Sequence, residues 1–300
     1  MAYAELHCLS NFTFLRGASH PQELVQQAAH LDYRALALTD ECSVAGVVRA
    51  HEAAKEAGLH LIIGSEIQLA DGPRLVLLAM DRTGYGNLCQ LITQGRRRAS
   101  KGSYHLARAD LDIGLPGCLA LLLPGDTPDP EHAAWLRLGF TDRCWLAVEL
   151  HAGADDRARL ATLTAFANRQ GLPAVAAGDV HMHMRARCVL QDTLTAIRLG
   201  RPVMECGHAL FPNGERHLRA LERLARIYPA ELLAESVRIA ERCTFSLDSL
   251  RYEYPPDLVP EGRTPAGHLR PLAEEGLARR FPDGAPDRVR GLIEHELALI

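Results

Sequence analysis

Residues 174–181 read Ala-Val-Ala-Ala-Gly-Asp-Val-His, a short apolar run that ends in a carboxylate and an imidazole two residues apart. At strand spacing, Asp179 and His181 point the same way. Residues 149–151, Glu-Leu-His, repeat the pattern at the end of another apolar run. His7, Asp40 and Glu66 likewise sit at or just past the ends of apolar runs. Seven such runs occur, at 4–8, 35–39, 59–64, 75–80, 118–123, 146–150 and 174–177. Most are continuous rather than alternating, as strands covered on both faces require. Helical patterns separate most of them: 21–31, 46–57 closed by Gly58, 86–99, 130–138, and 156–170 closed by Gly171. This rhythm gives parallel βα units, in either an open doubly wound sheet or a closed barrel. In a barrel all strand ends meet on one rim, so ligands distant in sequence converge. The ligand-type residues at strand ends therefore predict an α/β fold, a distorted seven-stranded parallel barrel. Carboxylate oxygen with imidazole nitrogen suits zinc, manganese or iron, and clustered ions of this kind activate water on phosphoesters.

Beyond His181 the pattern changes to helices at 187–199, 216–227, 229–243, 265–280 and 287–300, with a Pro-rich linker at 252–260. The expected division is a barrel over 1–200, a helical extension and linker over 201–260, and a helical start of a following region over 261–300. The last run, RVRGLIEHELALI, is still amphipathic at Ile300, which suggests a chain cut from something longer.

Composition narrows the function. The chain has 300 residues, 47% hydrophobic and 23% charged, enough to bury a core. A net charge of −4 argues against a free-standing nucleic-acid binder. No apolar run approaches the roughly 18 residues of a membrane span. Residues 1–5 carry neither a basic nor an apolar leader, so a cytoplasmic protein without membrane partners is expected. The eight cysteines form no C-x-x-C pair and read as small buried hydrophobes. The basic run Arg96-Arg97-Arg98, with Lys101 and Tyr104, reads either as a phosphate contact or as a solvated helix end.

Four stretches carry a resemblance: AELHCLSNFTFLRGASHPQELV (4–25), ALALTDECSVAGVVRAHEAAKEAGLHLIIGSEI (35–67), RLVLLAMDRTGYGNLCQLIT (74–93) and GLPAVAAGDVHM (171–182). They resemble the polymerase-and-histidinol-phosphatase (PHP) domain that opens bacterial C-family DNA polymerases of the DNA polymerase III alpha type. RCVLQDTLTAIRLGRPVMECGHALFPNGERHL (187–218) and YPAELLAESVRIAERCTFSLDSLRYEYP (228–255) are similar to the error-prone branch of that family.

The resemblance implies a metal set only partly kept here. Of the H-x-H motif His7 remains and Leu9 replaces the second histidine. Arg16 stands where an acidic ligand precedes the glycine. T-D-H becomes Thr39-Asp40-Glu41, G-x-E keeps Glu66, and Arg74 replaces a fourth-strand histidine. Glu149 keeps the sixth-strand position with His151 nearby, and the D-x-H is Asp179 and His181. A guanidinium cannot bind a metal. The expectation is one divalent zinc or manganese ion at most, held by a vestigial set of His7, Asp40, Glu66, Glu149, Asp179 and His181. Arg16 and Arg74 are expected to pair with Glu41, Glu66 or Asp179 in place of missing ions. By resemblance, a full-length chain would extend primers with magnesium in DNA damage tolerance and repair synthesis, and this piece holds no polymerisation residues. Primer-template DNA, the remaining polymerase domains, a sliding clamp and other mutagenesis proteins are the partners the resemblance implies. The other readings are a stand-alone metal-dependent PHP phosphoesterase or 3′-exonuclease, and a silent interaction module.

Overall fold

The computed structural model describes residues 2–112, 114–251, 259–260 and 262–300. They form two compact units, Met1–Leu250 and Arg251–Ile300. Most of the expected 252–260 linker lies outside the described residues.

The first unit is a sheet of seven strands paired in chain order. They are β1 (Ala4–Cys8), β2 (Ala35–Leu38), β3 (His60–Gln68), β4 (Arg74–Ala79), β5 (Cys118–Leu123), β6 (Cys144–Glu149) and β7 (Ala174–Ala177). The sheet closes just past β7, where Val180 bridges Cys8 and Leu9 N–H donates to the Val180 carbonyl at 2.8 Å. Four of the six strand pairings are parallel, as expected of a barrel. β4 runs the other way and is antiparallel to both β3 and β5. The cause is the five-residue link 69–73, which can turn a hairpin but cannot carry a parallel crossover. This reversal puts the first residue of β4, Arg74, on the rim where the parallel strands end.

Side chains alternate across the strands. Ala35, Ala37, Ile62, Val76, Leu119, Leu121, Ala147 and Val175 fill the barrel. Leu36, Leu38, Ile63, Leu77, Leu122 and Leu146 pack outward. They are covered by buried faces of α1 (Pro21–His30), α2 (Val47–Ala57), α3 (Arg82–Arg97), α4 (Pro130–Gly139) and α5 (Asp156–Gln170). α2 and α5 end on left-handed Gly58 and Gly171, as their sequences predict.

Residues 201–250 belong to the same compact unit as the barrel. After α6 (Cys188–Leu199) and α7 (Leu221–Ile227), α8 (Ala230–Arg242) covers the strand starts. Ser236 Oγ accepts from Ala4 N–H at 3.1 Å, and Trp145 Nε1 donates to Glu235 at 2.8 Å. α8 thus closes the end of the barrel opposite the rim where the parallel strands end. The run 216–227, read as helix, is helical only over α7; residues 216 and 217 lie extended beside 181 and 182.

The second unit holds α9 (Pro265–Arg280) and α10 (Asp287–Leu299), joined by an Arg270–Glu294 pair at 2.8 Å. Among the described residues no helix is long and apolar enough to cross a membrane. The eight cysteines are unpaired, six of them buried. The basic run is mostly consumed internally. Arg96 donates to the carbonyls of Glu41 and Cys42, and Arg98 pairs with Asp110 at 2.7 Å.

Candidate metal centre

His7 lies at the end of β1, buried in the rim. Its Nε2 is 2.9 Å from Glu66 Oε2 and its Nδ1 is 2.7 Å from Glu149 Oε1. Asp179 Oδ1 is 3.8 Å from Nδ1. Ligand atoms of His7, Glu66 and Asp179 all fall within 4.8 Å of one another. Residues from β1, β3 and the end of β7 thus converge, as the barrel reading requires.

The cleft is filled by protein cations. Arg16 Nη1 donates to Glu66 Oε1 at 2.7 Å and to Glu41 Oε2 at 2.5 Å. Arg74 Nε lies 3.9 Å from Glu66 Oε1. Arg216 places Nη1 against Asp179 Oδ2. Both ring nitrogens of His7 face carboxylates, which requires both to carry protons. Burial opposes that charge, but Glu149 and Glu66 outweigh it and hold the His7 pKa at about 9. Burial likewise opposes ionisation of Glu66, yet His7 and Arg16 hold it well below the usual carboxylate range. Arg16 in turn is raised by Glu66 and Glu41 against its own desolvation. Three guanidiniums and one imidazolium therefore face four carboxylates, Glu41, Glu66, Glu149 and Asp179. The site is charge-balanced from its own side chains.

Outside this group the expected residues divide. His181 places Nε2 2.9 Å from Asp179 Oδ1 and Nδ1 3.2 Å from the Arg16 carbonyl; burial and then Arg16 lower its pKa to about 3, so the ring is neutral and its single N–H donates to only one of these acceptors. Asp40 does not join the cleft, contrary to expectation. Its buried carboxylate accepts from Ser10 N–H (2.8 Å), Ser10 Oγ (2.7 Å) and Thr13 Oγ1 (2.7 Å), fastening the loop that carries Arg16. His151 turns to the Gly178 carbonyl at 3.0 Å. Leu9 is fully buried.

Several residues had no sequence signal. Arg216 is one. Phe211, 4.3 Å beneath its guanidinium and edge-on to His181, is another. Glu5 is a third: it accepts from His7 N–H (3.0 Å) and Gly178 N–H (2.8 Å), and a Cβ at Gly178 would lie 2.2 Å from its Oε2. Non-glycine residues in the left-handed region flank the site: Leu15 beside Arg16, Cys42 beside Glu41, Ala152 beside His151, and Asp179 itself. Such strain persists only where the surroundings over-determine the backbone, and it clusters at functional sites. Above the group lies a cleft of about 700 Å³, bordered by Arg74, His151, Phe211, Asn213 and Arg216.

A barrel whose rim gathers histidine and carboxylates from separate strands presents the donor types of a divalent-metal site. The PHP domain family matches residues 5–115, a stretch that includes His7, Arg16, Asp40, Glu41, Glu66 and Arg74. Over nearly its whole length the chain is similar to two curated proteins named error-prone DNA polymerase. The one from Methylococcus capsulatus is 64% identical over 299 residues, and the one from Pseudomonas aeruginosa 62% identical over 299. The alignments cover 99% and 100% of this chain, which spans 29% of each relative's length. Among solved structures, one described as a metal-dependent phosphoesterase from Bifidobacterium adolescentis is 17% identical. The match covers 75% of this chain and 94% of that one, with a TM-score of 0.46.

Among the described residues one group, His7, Glu66 and Asp179, brings ligand atoms close enough to hold a single divalent ion. An ion there must displace a proton from His7 and compete with Arg16 for Glu66 and with Arg216 for Asp179.

Proposed function

We propose that this chain is the N-terminal PHP portion of an error-prone, DNA-directed DNA polymerase acting in damage tolerance and repair synthesis, and that it serves as a structural platform. The observation that carries this reading is the set of guanidiniums seated on the cleft carboxylates. Metal-dependent hydrolysis needs those carboxylates free for ions. The high identity to error-prone DNA polymerases supports the setting.

In this proposal the barrel covers 1–200, the helical extension and linker 201–260, and residues 261–300 open the following polymerase region. Polymerisation with magnesium, and most of the grip on primer-template DNA, belong to that remaining region; a sliding clamp and other mutagenesis proteins complete the setting. The site is the cytoplasm. His7, Glu66 and Asp179, with Glu149 and His181 beside them, hold one zinc or manganese ion weakly.

The test is a pair of assays on the 300-residue chain. Primer extension should yield no template-dependent incorporation. Hydrolysis of a 3′-recessed duplex or a phosphomonoester with added zinc or manganese should stay at background. Brisk, chelator-sensitive hydrolysis supports instead a stand-alone phosphoesterase or 3′-exonuclease, the reading favoured by the closeness of His7, Glu66 and Asp179.

A further inference from the structure

We infer that Arg216 is a built-in counter-ion that holds the cleft closed to a divalent cation, with Phe211 as its positioning residue. The inference rests on the reading of an eroded metal site and adds a residue outside the ligand motifs.

Arg216 lies 37 residues after Asp179 in sequence, yet its backbone is pinned beside the strand ends. Its carbonyl accepts from His181 N–H at 2.9 Å and Met182 N–H at 3.2 Å, and His217 bridges Met182. The preceding residue cannot serve as its partner, because Glu215 is taken by Arg223 at 2.7 Å. Asn213 Nδ2 donates to the His151 carbonyl at 2.7 Å, tying down the other end of the segment. The side chain is thereby directed inward, over the Phe211 ring, onto Asp179. Glu149 is the main group favouring its charge, while burial and the neighbouring Arg16 and Arg74 oppose it.

Asp179 is one of the three residues whose ligand atoms fit an ion. A guanidinium on that carboxylate occupies one ligand and adds a positive charge where a divalent ion would sit. The segment 211–216 therefore acts as an internal strap over the cleft. Removing only its charge should uncover the residual site.

The experiment titrates MnCl2 into the metal-free 300-residue chain by calorimetry, with circular dichroism and melting as fold controls. Arg216→Met keeps the apolar stem on Phe211 and removes the charge. It should bind Mn2+ at least about tenfold more tightly than the parent, the scale on which outer partners alter metal affinity. Arg216→Lys should stay within about twofold of the parent, and Arg216→Met with Asp179→Asn should lose the gain. Phe211→Leu, a milder change, should give a smaller gain in the same direction. Equal affinities for parent and Arg216→Met, or a gain as large in Arg216→Lys, would overturn the inference. If Arg216→Met does not fold, Phe211→Leu decides it: no gain there overturns the inference. A parent that already binds Mn2+ tightly and hydrolyses DNA contradicts the proposed function, whereas the role of Arg216 is read from the ratio of variant to parent.

Discussion

Replacing Arg16 by methionine tests whether the cleft is held together by its cations. Glu66 is fully buried, and Arg16 supplies the shortest of its charged contacts, 2.7 Å against 2.9 Å from His7 and 3.9 Å from Arg74. Removing one partner of a buried ion pair costs roughly 3–5 kcal/mol, mainly because the remaining charge is left uncompensated. Here His7 stays on Glu66 and Glu41 is partly exposed, so the lower end, about 3 kcal/mol, is the expected loss. Urea unfolding of parent and Arg16→Met at pH 7 measures it. Adding Glu66→Gln to Arg16→Met should restore part of the loss, about 1–2 kcal/mol, since the orphaned charge disappears. A loss below about 1 kcal/mol, or a double variant as unstable as the sum of the singles, would refute the argument.

Two further outcomes follow from the same network. The His7 pKa is raised from 6.5 to about 9, so its stabilising contribution is complete below about pH 6.5 and is lost as pH rises through 9. At 1.36 kcal/mol per unit this amounts to about 3 kcal/mol; His7→Gln should flatten the fall in unfolding free energy between pH 6.5 and 9.5 by roughly that amount, and an unchanged slope would contradict it. Asp40→Asn keeps one acceptor oxygen and should cost roughly 1–2 kcal/mol in urea unfolding, while leaving the Mn2+ affinity of the chain unaltered; a large change in affinity would return Asp40 to the ligand set.

Much of this was legible in the sequence, for identifiable reasons. Apolar runs mark strands, and carboxylates or histidines at their ends mark a rim, so the convergence of His7, Glu66, Glu149 and Asp179 followed from the pattern. The direction of β4 was not read, because an apolar run has no polarity; the short 69–73 link carried that information. Asp40 fits its motif as a ligand, but its orientation depends on the Ser10 and Thr13 hydroxyls that capture it. Arg216 was invisible for a different reason. It sits in a polar run next to a helix, and only the added bridge to Met182 brings it to the rim. Arg96 and Arg98 resemble a phosphate-binding run until their carbonyl and carboxylate partners are located.

Arg16, Arg74, Arg216 and protonated His7 occupy this cleft in place of most of the metal. The most direct measurement is elemental analysis of the purified, unmodified 300-residue chain after dialysis against a chelator. Fewer than one zinc, manganese or iron ion per chain is predicted. Two or three ions per chain surviving dialysis would contradict it.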